Sequence, residues 1–337
     1  MAGGFPVALT CAGRGDRDEK RDGLMGRKTY MALDYKGVDP KAFRSRMRYA
    51  SFVSTKRKLL YVETPKAACS SLKWVMAALD GPLPTPVAKG GETQPEMAIH
   101  YRDVHPLPAV TELPPETGKG ILLSGAYRRF CVVRNPYTRL LAAWSNKIRQ
   151  IEPGYAADCA EIHRFHGRSE RHDAPSFRDF ALWVVASNPD TCNPHWRAQT
   201  KLLYPQIVPY DFVLKTETLA DGLQAVFDAG AETKALDARA LLERFRHNES
   251  LPFDQSGMFD EELAAKVAAH YAEDFTAYGY DVESWRSVAK KPPTFEALEA
   301  AALAAIQHRN RVIEEMAEKE RKRTKTLAGK IGRLFRR

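Results

Sequence analysis

Twice in this chain a short apolar run reaches a basic residue and opens straight onto a helix. Lys58-Leu-Leu-Tyr-Val-Glu63 passes through the small-residue turn Thr64-Pro-Lys-Ala-Ala-Cys-Ser-Ser71 into a helical pattern from Leu72 to Leu79. Arg129-Phe-Cys-Val-Val133 passes through Arg134 into a helix that Asn135 can cap and Pro136 can open, running to about Arg149. An apolar run too short for a helix reads as a buried strand, and strands alternating with helices return to one sheet by crossovers. A third strand at Asp211-Phe-Val-Leu214, a helix opening at Thr218, and helical patterns at Ser176–Val185 and Glu261–Phe275 continue the alternation. The predicted fold class is therefore α/β, with a central, mostly parallel sheet flanked by helices. Pro292-Pro293 then precedes a long C-terminal helix from Thr294 to about Lys325. Its residues Leu298, Ala302, Ala305, Val312 and Met316 form an apolar stripe at helical spacing. Such a stripe packs on the chain's own core or pairs with a second copy as a homodimer.

Composition supports that reading and removes others. Of 337 residues 44% are apolar and 28% charged, which suits a folded chain of one large or two ordinary domains. No apolar run approaches the ~20 residues that span a bilayer. Five cysteines without a C-x-x-C pair point away from a disulfide framework or structural zinc. The opening residues lack the charged start and long apolar stretch of an export signal, so the expected setting is cytoplasmic. The net charge of +9 is not spread evenly: residues 319–337 hold nine Lys/Arg against Glu320 alone, leaving +1 for the rest. Nucleic-acid binding through a basic globular face is thus not expected. The tail reads as a solvated basic end or, with Leu327, Ile331, Leu334 and Phe335 as anchors, as a peripheral contact with an anionic membrane surface. The expected organisation is a loose N-terminal segment at 1–45, one domain at 46–290, and the C-terminal helix with its basic tail at 291–337. The Gly- and Pro-loaded stretch from Gly81 to Gly120 is too long for a neutral connector.

Both strand-to-helix junctions suit an anion. Small residues at 67–71 let the main chain approach phosphate oxygens, the helix start offers backbone N–H groups, Ser70 and Ser71 add hydroxyls, and Lys66 adds a mobile charge. The nucleotide-triphosphatase pattern G-x-x-x-x-G-K-[S/T] is absent, because Lys66 precedes the loop. Arg134 stands at the end of the second strand, where ligands of open α/β sheets bind, and can grip a phosphate bidentately. Read singly, each junction is equally an ordinary helix start beside a surface cation.

Taken together the two junctions resemble the paired phosphosulfate-binding motifs of sulfotransferases, in the form found in carbohydrate sulfotransferases of the chondroitin 4-O-sulfotransferase type. Pro65, Lys66, Cys69, Ser70 and Lys73 match the first motif, and Arg134, Asn135, Pro136, Arg139, Leu140, Ala143 and Trp144 the second. His195-Trp196 with Gln199, Asp211–Leu219 with Glu217, His247-Asn248-Glu-Ser250, and Tyr271–Phe275 with Gly279-Tyr280 continue the likeness in order. The resemblance implies a P-loop-like sulfotransferase fold and transfer of a sulfuryl group from 3′-phosphoadenosine 5′-phosphosulfate to a hydroxyl of a carbohydrate or glycolipid, without a metal. It implies that Pro65, Lys66, Ala67, Ala68, Cys69, Ser70 and Ser71 hold the 5′-phosphosulfate, with Lys66 on the leaving oxygen. Arg134 then holds the 3′-phosphate and Asn248 closes over the nucleotide. One position departs: the Ser expected on the 3′-phosphate falls on Ala142, and Ser145, one turn later, is the candidate substitute. The base stays open among His195, His105, His100 and Glu63, histidine having the ordinary proton affinity best suited to the task. Two other readings remain, a phosphate-loop kinase and a nucleotide- or glycan-binding relative without catalysis. Trp144, Trp183 and Trp196 read as core or as sugar-stacking surfaces.

Overall fold

Three strands end side by side in the computed structural model, and that edge carries both basic junctions. The sheet runs β1 (Ser51–Ser54), β2 (Leu59–Val62), β3 (Arg128–Val133), β4 (Phe212–Lys215), in that spatial order. β2, β3 and β4 are parallel, with Val62 opposite Cys131 and Val133 opposite Lys215, whereas β1 pairs antiparallel with β2. The structure describes residues 33–83, 95–168, 173–246, 255–288 and 296–334.

The helices are α1 (Pro40–Ala50), α2 (Cys69–Asp80), α3 (Pro115–Leu123), α4 (Pro136–Ala143), α5 (Ala156–Phe165), α6 (Phe177–Ala186), α7 (Gln199–Leu203), α8 (Leu219–Asp228), α9 (Ala238–Arg244), α10 (Glu261–His270), α11 (Ala272–Tyr278) and α12 (Glu296–Leu334). α4 continues into a π-helical turn, Trp144–Ile148. Side chains alternate across the sheet as strand geometry requires. Tyr61, Phe130, Val132 and Leu214 pack with α2 and α8, whereas Leu60, Val62, Cys131 and Val133 pack with α1 and α3. A third cluster, built from α4, α5, α6, α10 and α11 around Trp183 and Trp196, stands beside it.

Three elements differ from the sequence reading. The segment read as loose contains the start of α1, where Asp39 accepts from the backbone N–H groups of Lys41 and Ala42 and Pro40 opens the helix. Phe43, Met47 and Ala50 recur on one helical face of α1 and are all fully buried. The single helix expected over 261–275 is two helices, because Tyr271 leaves the helical backbone region (φ −105°, ψ 23°). On α12, Ala305, Val312 and Met316 are exposed and Ala302 is partly buried, so this part of the stripe does not face the core as expected; the Leu298 side chain lies outside the described ones. Polar side chains dock that helix instead. Gln307 Nε2 donates to Arg149 O (2.6 Å), Asn310 Nδ2 donates to Gln150 O (2.9 Å), and Glu314 accepts from Gly154 N. No helix of the described residues is long and apolar enough to cross a membrane.

Asn310 is 2% exposed, so Asn310→Ala leaves the partly buried Gln150 carbonyl without its side-chain donor. The expected loss is about 1–2 kcal/mol of unfolding free energy, read by urea denaturation with an unchanged m-value.

Candidate functional site

The β2–α2 loop is bent by two residues that are not glycine. Lys66 (φ 69°) and Ala68 (φ 56°) both lie in the left-handed region, a conformation costing on the order of 1–3 kcal/mol per residue that clusters at ligand sites. Ala67 N–H closes the turn on Thr64 O at 3.2 Å. α2 then starts at Cys69 with no side chain capping it, so its first amides and the positive end of its dipole face outward at the loop. Pro65 and Ala67 are buried, while Lys66, Ala68, Cys69 and Ser71 are partly exposed.

Arg134 meets this loop from the neighbouring strand. Its Nη1 lies 3.4 Å from Lys66 O and its Nε donates to Thr138 Oγ1 at 3.1 Å. The two cations therefore share one edge of the sheet. The other motif residues hold the main chain around them. Gln199 clasps both the N–H and the C=O of Arg134 (2.9 Å each), Asp274 accepts from the N–H groups of Gln199 and Thr200, and Glu217 accepts from Asn135 N. Arg139, 2% exposed, donates to Pro65 O (3.0 Å), Pro194 O (3.0 Å) and Arg197 O (2.7 Å), tying the loop to the segment that carries His195.

Sequence reasoning passed over Asn146 beside the Lys66 ammonium. Lys66 donates to Asn146 Oδ1 on the π-helical turn. Beside it Lys147 pairs with Glu152 and lies over the Tyr155 ring, 5.1 Å from its centroid. Desolvation, followed by the Lys147 charge, brings the Lys66 ammonium down to about 7. Asn146 was within reach of the sequence, since it follows Arg139 by two turns along the same helix.

The four base candidates separate. His195 Nδ1 lies 2.8 Å from Asn193 Oδ1, which also accepts from His195 N. An amide oxygen only accepts, so Nδ1 carries the proton and Nε2 keeps the lone pair. Nε2 has no hydrogen-bond partner among the described residues, and Tyr155 OH lies 3.0 Å from Nδ1. Desolvation, then the charges of Lys147 and Lys66, hold the ring neutral, well below the usual histidine range. His105 is instead structural: it is 6% exposed, takes a hydrogen bond from Leu107 N on Nδ1 and gives one to Lys73 O from Nε2, and desolvation pushes it down to about 3. Glu63 is a buried counter-ion, 1% exposed, 2.6 Å from Lys73 Nζ and 3.5 Å from Arg46 Nη1. His100 is engaged on both nitrogens, by Ser70 Oγ at 2.9 Å and Lys73 Nζ at 2.8 Å.

The proposed repair at Ala142 is not made by Ser145, which is 0% exposed with its Oγ unpartnered and so cannot meet a ligand in the open site. Asn248 lies outside the described residues. Trp144, Trp183 and Trp196 are 7%, 1% and 0% exposed, which makes them core and not a sugar platform. Glu63, Cys69 and His100 bring ligand atoms within 4.8 Å of one another, but the Lys73 ammonium already stands between Glu63 and His100 in the place of a cation.

If Glu63 is a counter-ion, Glu63→Gln leaves Lys73 and Arg46 without a buried anion. The expected loss is about 3–5 kcal/mol of stability, measured by denaturant unfolding.

A family model described as the sulfotransferase family matches residues 49–281. Carbohydrate sulfotransferase 14 of Homo sapiens is 31% identical over 234 residues, 68% of this chain and 59% of that protein. Its Mus musculus counterpart is 30% identical over the same shares. Carbohydrate sulfotransferase 9 of Homo sapiens is 27% identical over 237 residues, 67% of this chain and 48% of that protein. The chain thus spans about half to three fifths of the length of these relatives. No solved structure matches significantly.

Proposed function

This chain belongs to the sulfotransferase family, and from that premise we propose that it moves a sulfuryl group from 3′-phosphoadenosine 5′-phosphosulfate to a carbohydrate hydroxyl. The observation that carries the reading is the placement of Lys66 and Arg134 at adjacent strand ends, Arg134 Nη1 3.4 Å from Lys66 O. Two cationic grips on one sheet edge suit a ligand with anionic groups at both ends of a single nucleoside.

In this reading the outward amides at the start of α2, with Ser70 and Ser71, hold the 5′-phosphate, and Arg134 holds the 3′-phosphate. The acceptor hydroxyl gives its proton to His195 Nε2 as its oxygen bonds to sulfur, and the bond from sulfur to the 5′-phosphate oxygen breaks. Negative charge grows on that leaving oxygen, where the Lys66 ammonium stabilises it. Ala142 removes one hydrogen bond to a charged group, worth ~1.5–3 kcal/mol, so donor affinity is set below that of a site with a hydroxyl there. Glycolipid acceptors, a cytoplasmic setting, a peripheral membrane contact through residues 319–337 and pairing as a homodimer belong to the same proposal. Carbohydrate sulfotransferase names among the relatives support a sugar acceptor.

Titration with 3′-phosphoadenosine 5′-phosphate against ATP tests the site, and the bisphosphate is expected to bind in preference. ATP binding in preference points to the kinase reading instead. With labelled donor and a panel of soluble and lipid-linked sugars, Lys66→Ala and Arg134→Ala are expected to lose transfer at least a hundredfold while retaining the parent's melting temperature. Full activity in the Lys66→Ala protein removes the mechanism.

The same titration has a pH dependence. The form that pairs with phosphate is the charged one, so affinity is full below the Lys66 value of about 7 and falls as pH rises through it. Lys147→Met removes a neighbouring positive charge, so the inflection is expected to move to higher pH in a calorimetric pH series.

A further inference from the structure

Resting on the donor-site reading above, we infer that His100 and Lys73 are positioning residues that fix Ser70 as a hydrogen-bond donor to the 5′-phosphate. Lys73 Nζ lies 2.8 Å from His100 Nδ1. An ammonium can only donate, so Nδ1 holds the lone pair and the ring proton sits on Nε2. The opposite tautomer sets an N–H against the ammonium at that distance. Nε2 lies 2.9 Å from Ser70 Oγ, so the imidazole donates to the hydroxyl oxygen. The hydroxyl hydrogen is left to point elsewhere, and its one acceptor among the described residues is the Met97 sulfur at 3.9 Å, a weak partner that a phosphate oxygen outcompetes.

The chain of assignments starts at a fixed charge. Burial is the largest influence and acts against the Lys73 ammonium, but the Glu63 carboxylate 2.6 Å away, together with Tyr49 and Cys69, raises the group above its ordinary range. Glu63 thus fixes the charge of Lys73, Lys73 fixes the His100 tautomer, and the tautomer fixes the polarity of Ser70. No proton changes place along this line. Ser70 is the second residue of α2, whose first turn has no side-chain cap, so its nearly buried hydroxyl sits beside the helix amides that the donor-site reading assigns to the same anion. A hydroxyl that accepts one hydrogen bond while donating another makes both stronger.

The test is a double-mutant cycle read by calorimetric titration of 3′-phosphoadenosine 5′-phosphate into the 337-residue chain. Ser70→Ala is expected to weaken binding about tenfold, as for one hydrogen bond to a charged group. His100→Leu is expected to weaken it about five- to tenfold. The two together are expected to be no worse than Ser70→Ala alone. His100→Gln can accept from Lys73 through its carbonyl and donate to Ser70 through its amide, so it is expected to bind within about twofold of the parent. The inference is overturned if folded His100→Leu binds as the parent does, or if the double variant loses the product of the single losses. Should the Leu variant fail to fold, a folded His100→Gln protein that binds as weakly as Ser70→Ala overturns it equally. A parent that does not bind the bisphosphate overturns the donor-site reading, and this inference with it; a parent that binds while the cycle is additive overturns this inference alone.

Discussion

One guanidinium joins the three chain segments that make the site. Arg139 is almost wholly buried, and it donates to the backbone carbonyls of Pro65, Pro194 and Arg197. The planar fork of arginine fixes the directions of its donors as well as their number, so the three carbonyls are set relative to one another and to α4. Pro65 precedes the loop lysine, and Pro194 precedes His195. The left-handed residues of the loop are sustained by this anchoring. A strained turn persists only where its surroundings over-determine it, and here the carbonyl before Lys66 is held from behind while Ala67 closes on Thr64 in front.

On that scaffold positive charge is gathered and only partly neutralised. Lys147 has Glu152, but Glu217, the carboxylate near Arg134 among the described residues, spends its oxygens on Asn135 N and Tyr280 OH. Among the described residues the hydrogen-bond partner of the Lys66 ammonium is a neutral amide oxygen, from Asn146. A lysine brought down to about 7 by desolvation and a like charge is raised again when an anion arrives beside it. The buried row Arg46–Glu63–Lys73–His100 behaves oppositely, with its charges paired inside the protein. The site thus separates a paired interior row, which sets geometry, from an under-compensated outer group, which meets the ligand.

The sheet and its two basic junctions were legible because each rests on local pattern: an apolar run, small or capping residues, and a helical repeat. β1 was not, since between Ser51 and Ser54 only Phe52 and Val53 are apolar, too few to carry a period. α1 carried its own signals in Asp39, Pro40 and the Phe43–Met47–Ala50 face, hidden by the Gly- and Arg-rich stretch before it. The base candidates show a different limit. Sequence can place a histidine near a motif but not say what its nitrogens touch. His105 and His100 proved engaged on both nitrogens and His195 on one, a distinction made by Leu107, Lys73, Ser70 and Asn193 from separate parts of the chain. Ser145 was proposed from a one-turn offset that assumes a regular α-helix. The π-helical turn changes the offset, and the hydroxyl is buried.

α12 meets this part of the site through polar side chains. Where the helix formed by α4 and its π turn ends, the carbonyls of Arg149 and Gln150 have no further turn to bond, and Gln307 and Asn310 supply the missing donors. Glu314 accepts from Gly154 N on the far side of the same bend, which holds Ile151 and Gly154 at positive φ. Between these fixed points lie Glu152, the partner of Lys147, and Tyr155, the neighbour of His195. Lys147 in turn lowers the proton affinity of Lys66. Three polar side chains of α12 therefore hold the turn whose Lys147 adds to desolvation in lowering the proton affinity of the loop lysine. A search for hydrophobic periodicity could not find this link, because Val312 and Met316 face solvent and the contact is made by amides and a carboxylate.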